Sequence, residues 1–201
     1  MPERITDELL LKKAGEGDQA AFLDLYDRYR EPIFRFAYRL LGSVEVAEDV
    51  THDCFLSLIR KPENFRAERA SLKTYLYAAA RNLAMKHFRN QGRETGLDEV
   101  SEEPKDSPKR GPLRRLLDEE LAGQVRDAVF SLPPLQREAL ILFEYEGLSL
   151  NEVAQITGTD AGAIKARLYR AREGLRRILQ PYMDSNQELN SGREIVTLRE
   201  A

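Results

Sequence analysis

A segment without apolar periodicity divides this chain of 201 residues into two halves. Residues 92–112, GRETGLDEVSEEPKDSPKRGP, are rich in glycine, proline, serine and charge, which is the composition of a flexible interdomain linker. A chain of this length can hold about two cores, because domains usually run to roughly 100–150 residues. We therefore predict one domain over 1–91, a second over 113–181, and a disordered tail over 182–201.

Apolar residues in both halves recur at spacings of three and four, and strand signals are almost absent. Residues 18–41 follow this pattern throughout, which predicts one helix, or two if the second begins near Glu31, where Pro32 would be tolerated. Further helices are predicted over about 44–61, 71–91, 113–130 and 134–146. The fold class predicted from these patterns is all-α, with two small helical domains.

Composition excludes several classes of protein. No run approaches the roughly 18–20 apolar residues that cross a bilayer, and no signal peptide is recognisable, so we expect a cytoplasmic protein without membrane insertion. Cys54 is the single cysteine, which rules out an internal disulfide and a thiolate metal cluster. The chain lacks a nucleophile–base pair, a phosphate-binding glycine loop and metal-ligand spacing. We therefore expect no enzymatic activity, no cofactor and no metal site.

Positive charge is concentrated in two blocks, although the formal net charge is −3. Residues 60–93 contain nine lysines and arginines against two acids, and residues 165–177 contain six against one. Local charge attracts polyanions such as nucleic acids, but either block alone is equally typical of a solvated helix face.

The second half carries the signals of a helix-turn-helix motif. Ser149 and Glu152 have the spacing of a capping box, which predicts a helix that begins at residue 150. Gly158 can adopt the left-handed conformation of a tight turn, and Thr159 or Asp160 can cap the helix that follows. A short helix, a glycine turn and a longer helix form the motif that places its second helix in the major groove.

The second helix of this motif has a small first turn and a basic outer face. Its candidate DNA-reading residues are Ala161, Gly162, Ala163, Lys165, Ala166, Arg167, Arg170 and Arg172. Small side chains let the start of the helix approach base edges, while the cations reach bases or phosphates. A solvated basic helix would explain the charges but not the capping box and the turn, so we interpret it as a DNA-reading helix.

The motif lies within a longer stretch, SLPPLQREALILFEYEGLSLNEVAQITGTDAGAIKARLYRAREGLRRIL, and residues 125–179 resemble region 4 of bacterial sigma factors of the extracytoplasmic-function group. The resemblance implies two helical domains on a flexible linker that dock on core RNA polymerase, region 4 on its beta flap. It implies that the basic helix reads the minus-thirty-five promoter element, and that an anti-sigma factor binds the protein. Ala161 and Ala163 stand where the family commonly has an acidic residue and a threonine.

Residues 20–90 are similar to sigma region 2, and AEDVTHDCFLSLI resembles the family helix that docks on the clamp coiled coil of the largest polymerase subunit. Helical spacing places Ala47, Val50, Cys54 and Leu58 on one inward stripe. Asp49, His52 and Asp53 share the opposite face and align with the family's polymerase-contacting positions. A catalytic or metal cluster of His52, Asp53 and Cys54 is disfavoured, since adjacent helical residues point about 100° apart.

The helix predicted from Ser71 also has two faces. Leu72, Leu76, Ala79 and Leu83 are predicted to face inward, and Asn82, Lys86, Arg89 and Arg93 to form an outward stripe. Cationic tracks with amide or aromatic groups hold single-stranded DNA, although the two tyrosines on this helix, Tyr75 and Tyr77, fit core packing equally well. In the family this helix and the loop before it melt the minus-ten element. The resemblance implies Phe65, Arg66, Tyr75, Asn82, Lys86 and Arg89 as minus-ten contacts.

A second hypothesis is a classical helix-turn-helix regulator that binds duplex DNA as a dimer, with the first domain as a sensor. A sensor needs neither the polar face of Asp49, His52 and Asp53 nor the stripe that begins at Asn82. Both features therefore favour a promoter-specificity factor for RNA polymerase.

Overall fold

The computed structural model describes residues 5–91 and 112–197, and the side chains of residues 5–89 and 121–182. The described residues form eight α-helices and no strand. The helices are α1 Asp7–Gly15, α2 Gln19–Leu41, α3 Val44–Arg60, α4 Leu72–Gln91, α5 Pro112–Phe130, α6 Pro134–Leu140, α7 Leu150–Thr157 and α8 Ala161–Thr197. The linker segment 92–111 lies outside the described residues. The all-α prediction is confirmed.

Helix α2 is continuous through Pro32, which decides between the one-helix and two-helix predictions for 18–41. Asp18 caps its start by accepting hydrogen bonds from the backbone N–H groups of Ala20 and Ala21. Gly42 ends it in the left-handed conformation, at φ 82°, and its N–H bonds the Tyr38 carbonyl. Buried side chains on both sides of Pro32, such as Leu25 and Phe36, hold the helix together despite the missing N–H.

Helices α2, α3 and α4 enclose the core of the first half. The predicted inward stripe of α3 is confirmed, because Ala47, Val50, Cys54 and Leu58 are all buried. The predicted inward stripe of α4 is correct for Leu72 and Leu76 and wrong for Ala79 and Leu83, which are only half-buried. Tyr77, Ala80 and Ala84 are buried instead, since α4 is covered on one side by its own core and on another by the second half.

In the second half, α6, α7 and α8 pack together and α5 lies along α8. The helix predicted over 134–146 changes after Leu140 into a wider π turn, Ile141–Tyr145, whose end is closed by the Glu146 N–H bonding the Ile141 carbonyl. The structure also differs from the predicted disordered tail, because α8 continues to Thr197. The helix passes through Pro181, a residue type that usually kinks or ends a helix.

The two halves contact each other directly. Helix α4 lies against α7, and α2 lies against α6 and the π turn. A Cβ added at Gly42 would come within 2.9 Å of the Phe130 ring, so a side chain here would push the halves apart.

Candidate nucleic-acid interface

The turn of the helix-turn-helix is built from local hydrogen bonds. The Ser149 N–H and hydroxyl donate to Glu152 Oε2 at 2.8 and 2.7 Å, and the Glu152 N–H donates to Ser149 Oγ. These bonds hold the pKa of Glu152 below its ordinary value. Gly158 has φ 67° and ends α7, and Asp160 Oδ1 accepts from the Ala163 N–H at 2.9 Å to start α8. The predicted capping box and turn are confirmed, and Asp160 makes the cap contact to the start of α8.

Burial along α8 separates an inner stripe from an outer one. Ile164, Leu168 and Ala171 are buried, and Leu175 is half-buried. Among the candidate DNA-reading residues, those that are exposed are Gly162, Lys165, Ala166, Arg170 and Arg172, and those that are half-buried are Ala161, Ala163 and Arg167. We call these eight residues the reading face of α8. It offers small side chains near the helix start and cations further along.

The cations of the reading face differ in their surroundings. Arg172 forms an ion pair with Glu144, with Nη2 and Oε1 2.5 Å apart, and its guanidinium lies over the Phe143 ring. Arg167 Nη1 is buried and has no hydrogen-bond partner within the part of the chain that the structure describes. Tyr169, with 68% of its surface exposed, also lies on the outer side. Sequence reasoning missed Glu144 and Tyr169, although the i, i+4 spacing from Lys165 was a signal for the tyrosine.

Helix α4 carries the second candidate surface. Asn82, Lys86 and Arg89 are all exposed, and we call them the outer stripe of α4. The fourth predicted member, Arg93, lies outside the described residues. Asn82 Oδ1 lies 3.5 Å from Nη1 of the neighbouring Arg81. Cationic and amide groups thus line one side of the helix.

The loop before α4 packs on the start of that helix through an aromatic pair. Phe65 and Tyr75 pack edge to face with their ring centroids 5.6 Å apart, and both residues are half-buried. Burial raises the pKa of the Tyr75 hydroxyl. Arg66, beside the pair, is exposed. Tyr77, by contrast, is buried and donates to Glu146 of the second half, so core packing is its role.

Helix α3 presents a third surface. Asp49, His52 and Asp53 are exposed on one face, which we call the polar patch of α3, and Cys54 is buried behind them. Burial raises the pKa of the Cys54 thiol to about 12. The described residues contain no group of three histidine, cysteine or acidic side chains that could hold a metal ion. The structure therefore separates Cys54 from His52 and Asp53, as the spacing predicted.

Within the described residues, no helix is long and apolar enough to cross a membrane. Residues 25–94 match the family model of sigma-70 region 2, and residues 122–175 match that of sigma-70 region 4. The first match includes the polar patch of α3 and the outer stripe of α4, and the second includes the helix-turn-helix. A sensor domain in the first half is thereby excluded.

Relatives match along nearly the whole chain. The extracytoplasmic-function RNA polymerase sigma-E factor of Haemophilus influenzae is 31% identical over 91% of this chain and 100% of its own length. The sigma-E factor of Escherichia coli K12 is 33% identical over 90% of this chain and 98% of its own.

A solved structure agrees with these relatives. The sigma factor RpoE of Bartonella quintana, in complex with the anti-sigma factor NepR, is 26% identical and superimposes with a TM-score of 0.66 over 79% of this chain and 96% of its own. Sigma factors are non-enzymatic initiation factors that bind core RNA polymerase and direct it to specific promoters. The chain belongs to the extracytoplasmic-function group of the sigma-70 family of RNA polymerase sigma factors.

Proposed function

We propose that this sigma factor reads its promoter with two separate surfaces, the reading face of α8 at the minus-thirty-five element and the outer stripe of α4 at the minus-ten element. The observation that carries the proposal is exposure: each surface collects cations and small or amide groups on the solvent side of a helix whose opposite stripe is buried. Buried stripes hold the helices in place, so the exposed groups keep a defined register toward DNA.

At the minus-thirty-five element, α8 enters the major groove by its N-terminal turns. Ala161, Gly162, Ala163 and Ala166 allow close approach of the helix to the bases. Lys165 and Arg167 lie within the first two turns, where side chains reach base edges, and Arg170 and Arg172 lie further along, where they meet phosphates.

At the minus-ten element, the outer stripe of α4 holds the melted strand. Lys86 and Arg89 follow its phosphates, and the Asn82 amide lies where it can bind an unstacked base. Phe65, Arg66 and Tyr75 form the loop side of the same surface, since the aromatic pair packs at the start of α4. The half-buried rings offer a stacking surface for a base.

In this proposal the polar patch of α3 binds core RNA polymerase. Asp49 and Asp53 are exposed carboxylates one helical turn apart with His52 between them, a surface that suits a basic partner such as the clamp coiled coil of the largest subunit. Region 4 docks on the beta flap of the same enzyme. The protein therefore acts in the cytoplasm, where the polymerase is.

The same proposal includes the domain boundaries and a regulatory partner. Region 2 takes residues 1–91, the linker 92–112 and region 4 residues 113–181; α4 ends at Gln91 and α5 begins at Pro112, which supports these limits. An anti-sigma factor is the proposed inhibitor, because the similar RpoE of Bartonella quintana was solved with one.

Charge reversal in the polar patch tests the docking assignment. Asp49→Lys with Asp53→Lys should abolish co-elution with core polymerase while leaving the helical content unchanged, because both side chains are exposed. The matched control is Asp24→Lys with Asp27→Lys, which makes the same charge change at exposed positions of α2. Co-elution equal to that of the control pair would contradict the assignment.

A further inference from the structure

A cavity of about 350 Å³ lies where α2 approaches α5 and the π turn, and we call it the α2–α5 cavity. None of the described residues assigned above to DNA or to polymerase lines it. Its volume corresponds to about twelve water molecules at roughly 30 Å³ each. Small-molecule sites in proteins begin at about 300 Å³, so the cavity has the size of a site for a ligand of roughly 10–15 non-hydrogen atoms.

The walls of the cavity are aromatic and aliphatic over most of their area. Tyr38 of α2, Phe130 of α5 and Tyr145 of the π turn supply three rings, and Val125 and Val129 of α5 supply methyl groups. Tyr145 keeps 44% of its surface exposed, so the cavity is open to solvent on that side. Because rings pack well against other rings in offset or edge-on contact, this lining favours a flat aromatic body.

Neighbouring groups hold two of these rings in place. Tyr38 is buried, and its ring stacks on that of Phe34 with the centroids 6.2 Å apart and the planes 15° apart. The Phe130 ring lies so close to Gly42 that a Cβ there would come within 2.9 Å, and the Arg137 guanidinium lies 5.0 Å from the ring centroid. Walls that are already ordered lower the entropic cost of binding a ligand.

Two arginines also line the cavity, and they differ in their partners. Arg39 Nη1 lies 3.2 Å from Glu146 Oε1, and the Arg39 guanidinium lies 4.8 Å from the centroid of the Tyr145 ring. Arg126 is half-buried and forms no ion pair with any side chain that the structure describes. No acidic residue is among the described residues that line the cavity. The cavity therefore has one positive charge, on Arg126, that no described carboxylate compensates.

A single uncompensated guanidinium beside apolar walls selects the charge of the ligand. A carboxylate can accept two parallel hydrogen bonds from a guanidinium, which makes the pair both strong and directional. A phosphate dianion would lose more solvation than one arginine and apolar walls can replace. The chemistry of the lining thus fits an aromatic body that carries one carboxylate.

We propose that the α2–α5 cavity is a binding site for a small aromatic monocarboxylate, with the ring of the ligand between Tyr38, Phe130 and Tyr145 and its carboxylate on Arg126. The site is separate from promoter reading and polymerase docking, because it uses none of the residues assigned to either. A ligand that binds only the folded chain raises the melting temperature as its concentration rises.

Titration calorimetry of the full chain tests the site with 1-naphthoate, an aromatic carboxylate of this size, and with 1-naphthamide, its neutral isostere. We expect a dissociation constant of about 0.1 mM for 1-naphthoate, the range for a ligand of this size. We expect binding of 1-naphthamide to be about ten-fold weaker or more, because it cannot form a charge-assisted bond with Arg126. No binding of 1-naphthoate, or equal affinity for the two compounds, would overturn the proposal.

Removal of the cation tests the role of Arg126. Arg126→Gln should weaken binding of 1-naphthoate about ten-fold or more and leave binding of 1-naphthamide unchanged, a difference that general damage to the fold would not produce. The matched control is Arg30→Gln, the same change at an exposed position of α2. An Arg126→Gln variant that binds 1-naphthoate as tightly as the control would overturn the assignment of the carboxylate.

Two further measurements locate the ligand. Val125→Trp places a large ring in the cavity from a half-buried position and should abolish binding of both compounds, while circular dichroism checks that the helices are intact. In the parent chain, nuclear Overhauser effects should connect the ring protons of 1-naphthoate with the methyl groups of Val125 and Val129. Full affinity in a folded Val125→Trp variant, or effects to methyl groups elsewhere only, would overturn the site.

Discussion

Helices α4 and α8 both carry basic residues toward solvent, yet the cations of the two helices have different surroundings. Those of α8 lie mainly on its outer face, and there the exposed Arg172 pairs with Glu144. Helix α4 has two polar faces. Lys86 and Arg89 are exposed, whereas Arg81 is half-buried against Glu138 of region 4.

The difference shows that a basic residue near a DNA-reading surface is not for that reason a DNA contact. An exposed ion pair contributes about 0–1 kcal/mol and yields easily to a phosphate. A pair with one fully buried partner is different, because breaking it leaves a charge without solvation. Arg172 is therefore available to DNA, whereas Arg81 is available only after the two regions separate.

The largest expected effect comes from a mutation in the buried stripe of α8 that packs beneath its reading face. Leu168→Ala empties a buried position of the inner stripe and should lower the free energy of unfolding of region 4 by about 2–5 kcal/mol. Urea denaturation of the full chain, followed by circular dichroism, measures it. The neighbouring Tyr169→Ala is the control, since 68% of that residue is exposed and its change should stay within about 0.5 kcal/mol. Equal losses would mean that α8 is not positioned by this stripe.

The next prediction distinguishes the role of the outer stripe of α4 in promoter opening from the role of the reading face of α8 in duplex binding. Asn82→Ala should weaken promoter opening by on the order of 1–3 kcal/mol, the range for a lost base contact, and leave closed-complex binding nearly unchanged. Permanganate reactivity of unpaired thymines measures opening. Gln19→Ala, an exposed amide on α2, is the matched control. Equal loss of opening and of closed-complex binding would remove the single-strand role of Asn82.

A comparison within α8 sharpens the assignment of bases and phosphates. Lys165→Ala or Arg167→Ala should reduce discrimination between matched and scrambled minus-thirty-five duplexes, by on the order of 1–3 kcal/mol for at least one of the two. Arg170→Ala is the reference variant and should weaken both duplexes alike. If Arg170→Ala lost discrimination while the other two variants kept it, the helix would dock in another orientation.

The smallest expected effect concerns the ion pair on the reading face. Arg170→Ala should lower the salt dependence of binding by about one counterion, since one phosphate contact is lost. Arg172→Ala should reduce the affinity for DNA less than Arg170→Ala does, because DNA must first displace Glu144 from Arg172. Glu144→Gln should strengthen binding to all duplexes by up to about 1 kcal/mol. Affinities across a salt series measure all three variants, and Glu31→Gln, an exposed paired acid on α2, is the control. A Glu144→Gln variant that binds no better than this control would mean that the ion pair does not compete with DNA.

Local signals explain why much of the fold could be predicted. The capping box of Ser149 and Glu152 and the turn at Gly158 depend on residues at most a few positions apart, so their geometry follows from the sequence. The buried stripe of α3 follows in the same way from helical periodicity, and the exposed polar patch of α3 is the other side of that periodicity. The contacts of these surfaces with polymerase and DNA stay predictions.

The error in the inner face of α4 falls where distant segments meet. Periodicity assigned Ala79 and Leu83 to the inner face of α4, but the second half covers a different part of that helix and buries Tyr77 and Ala80. The tail is a separate case, since α8 continues to Thr197 where a lack of amphipathic pattern predicted disorder.

By itself the sequence determined most of the helices between residues 18 and 181, the caps of the helix-turn-helix and the family, because each depends on neighbouring residues or on motifs read in order; helix α1, Asp7–Gly15, was not predicted. Only the tertiary structure decided which charges are buried between the two regions. Arg81 and Lys86 belong to the same basic helix, yet Lys86 is exposed while Arg81 meets a glutamate 57 positions away. A buried carboxylate needs a cation in space rather than in sequence, and Glu138 and Glu146 find theirs only when the two regions come together.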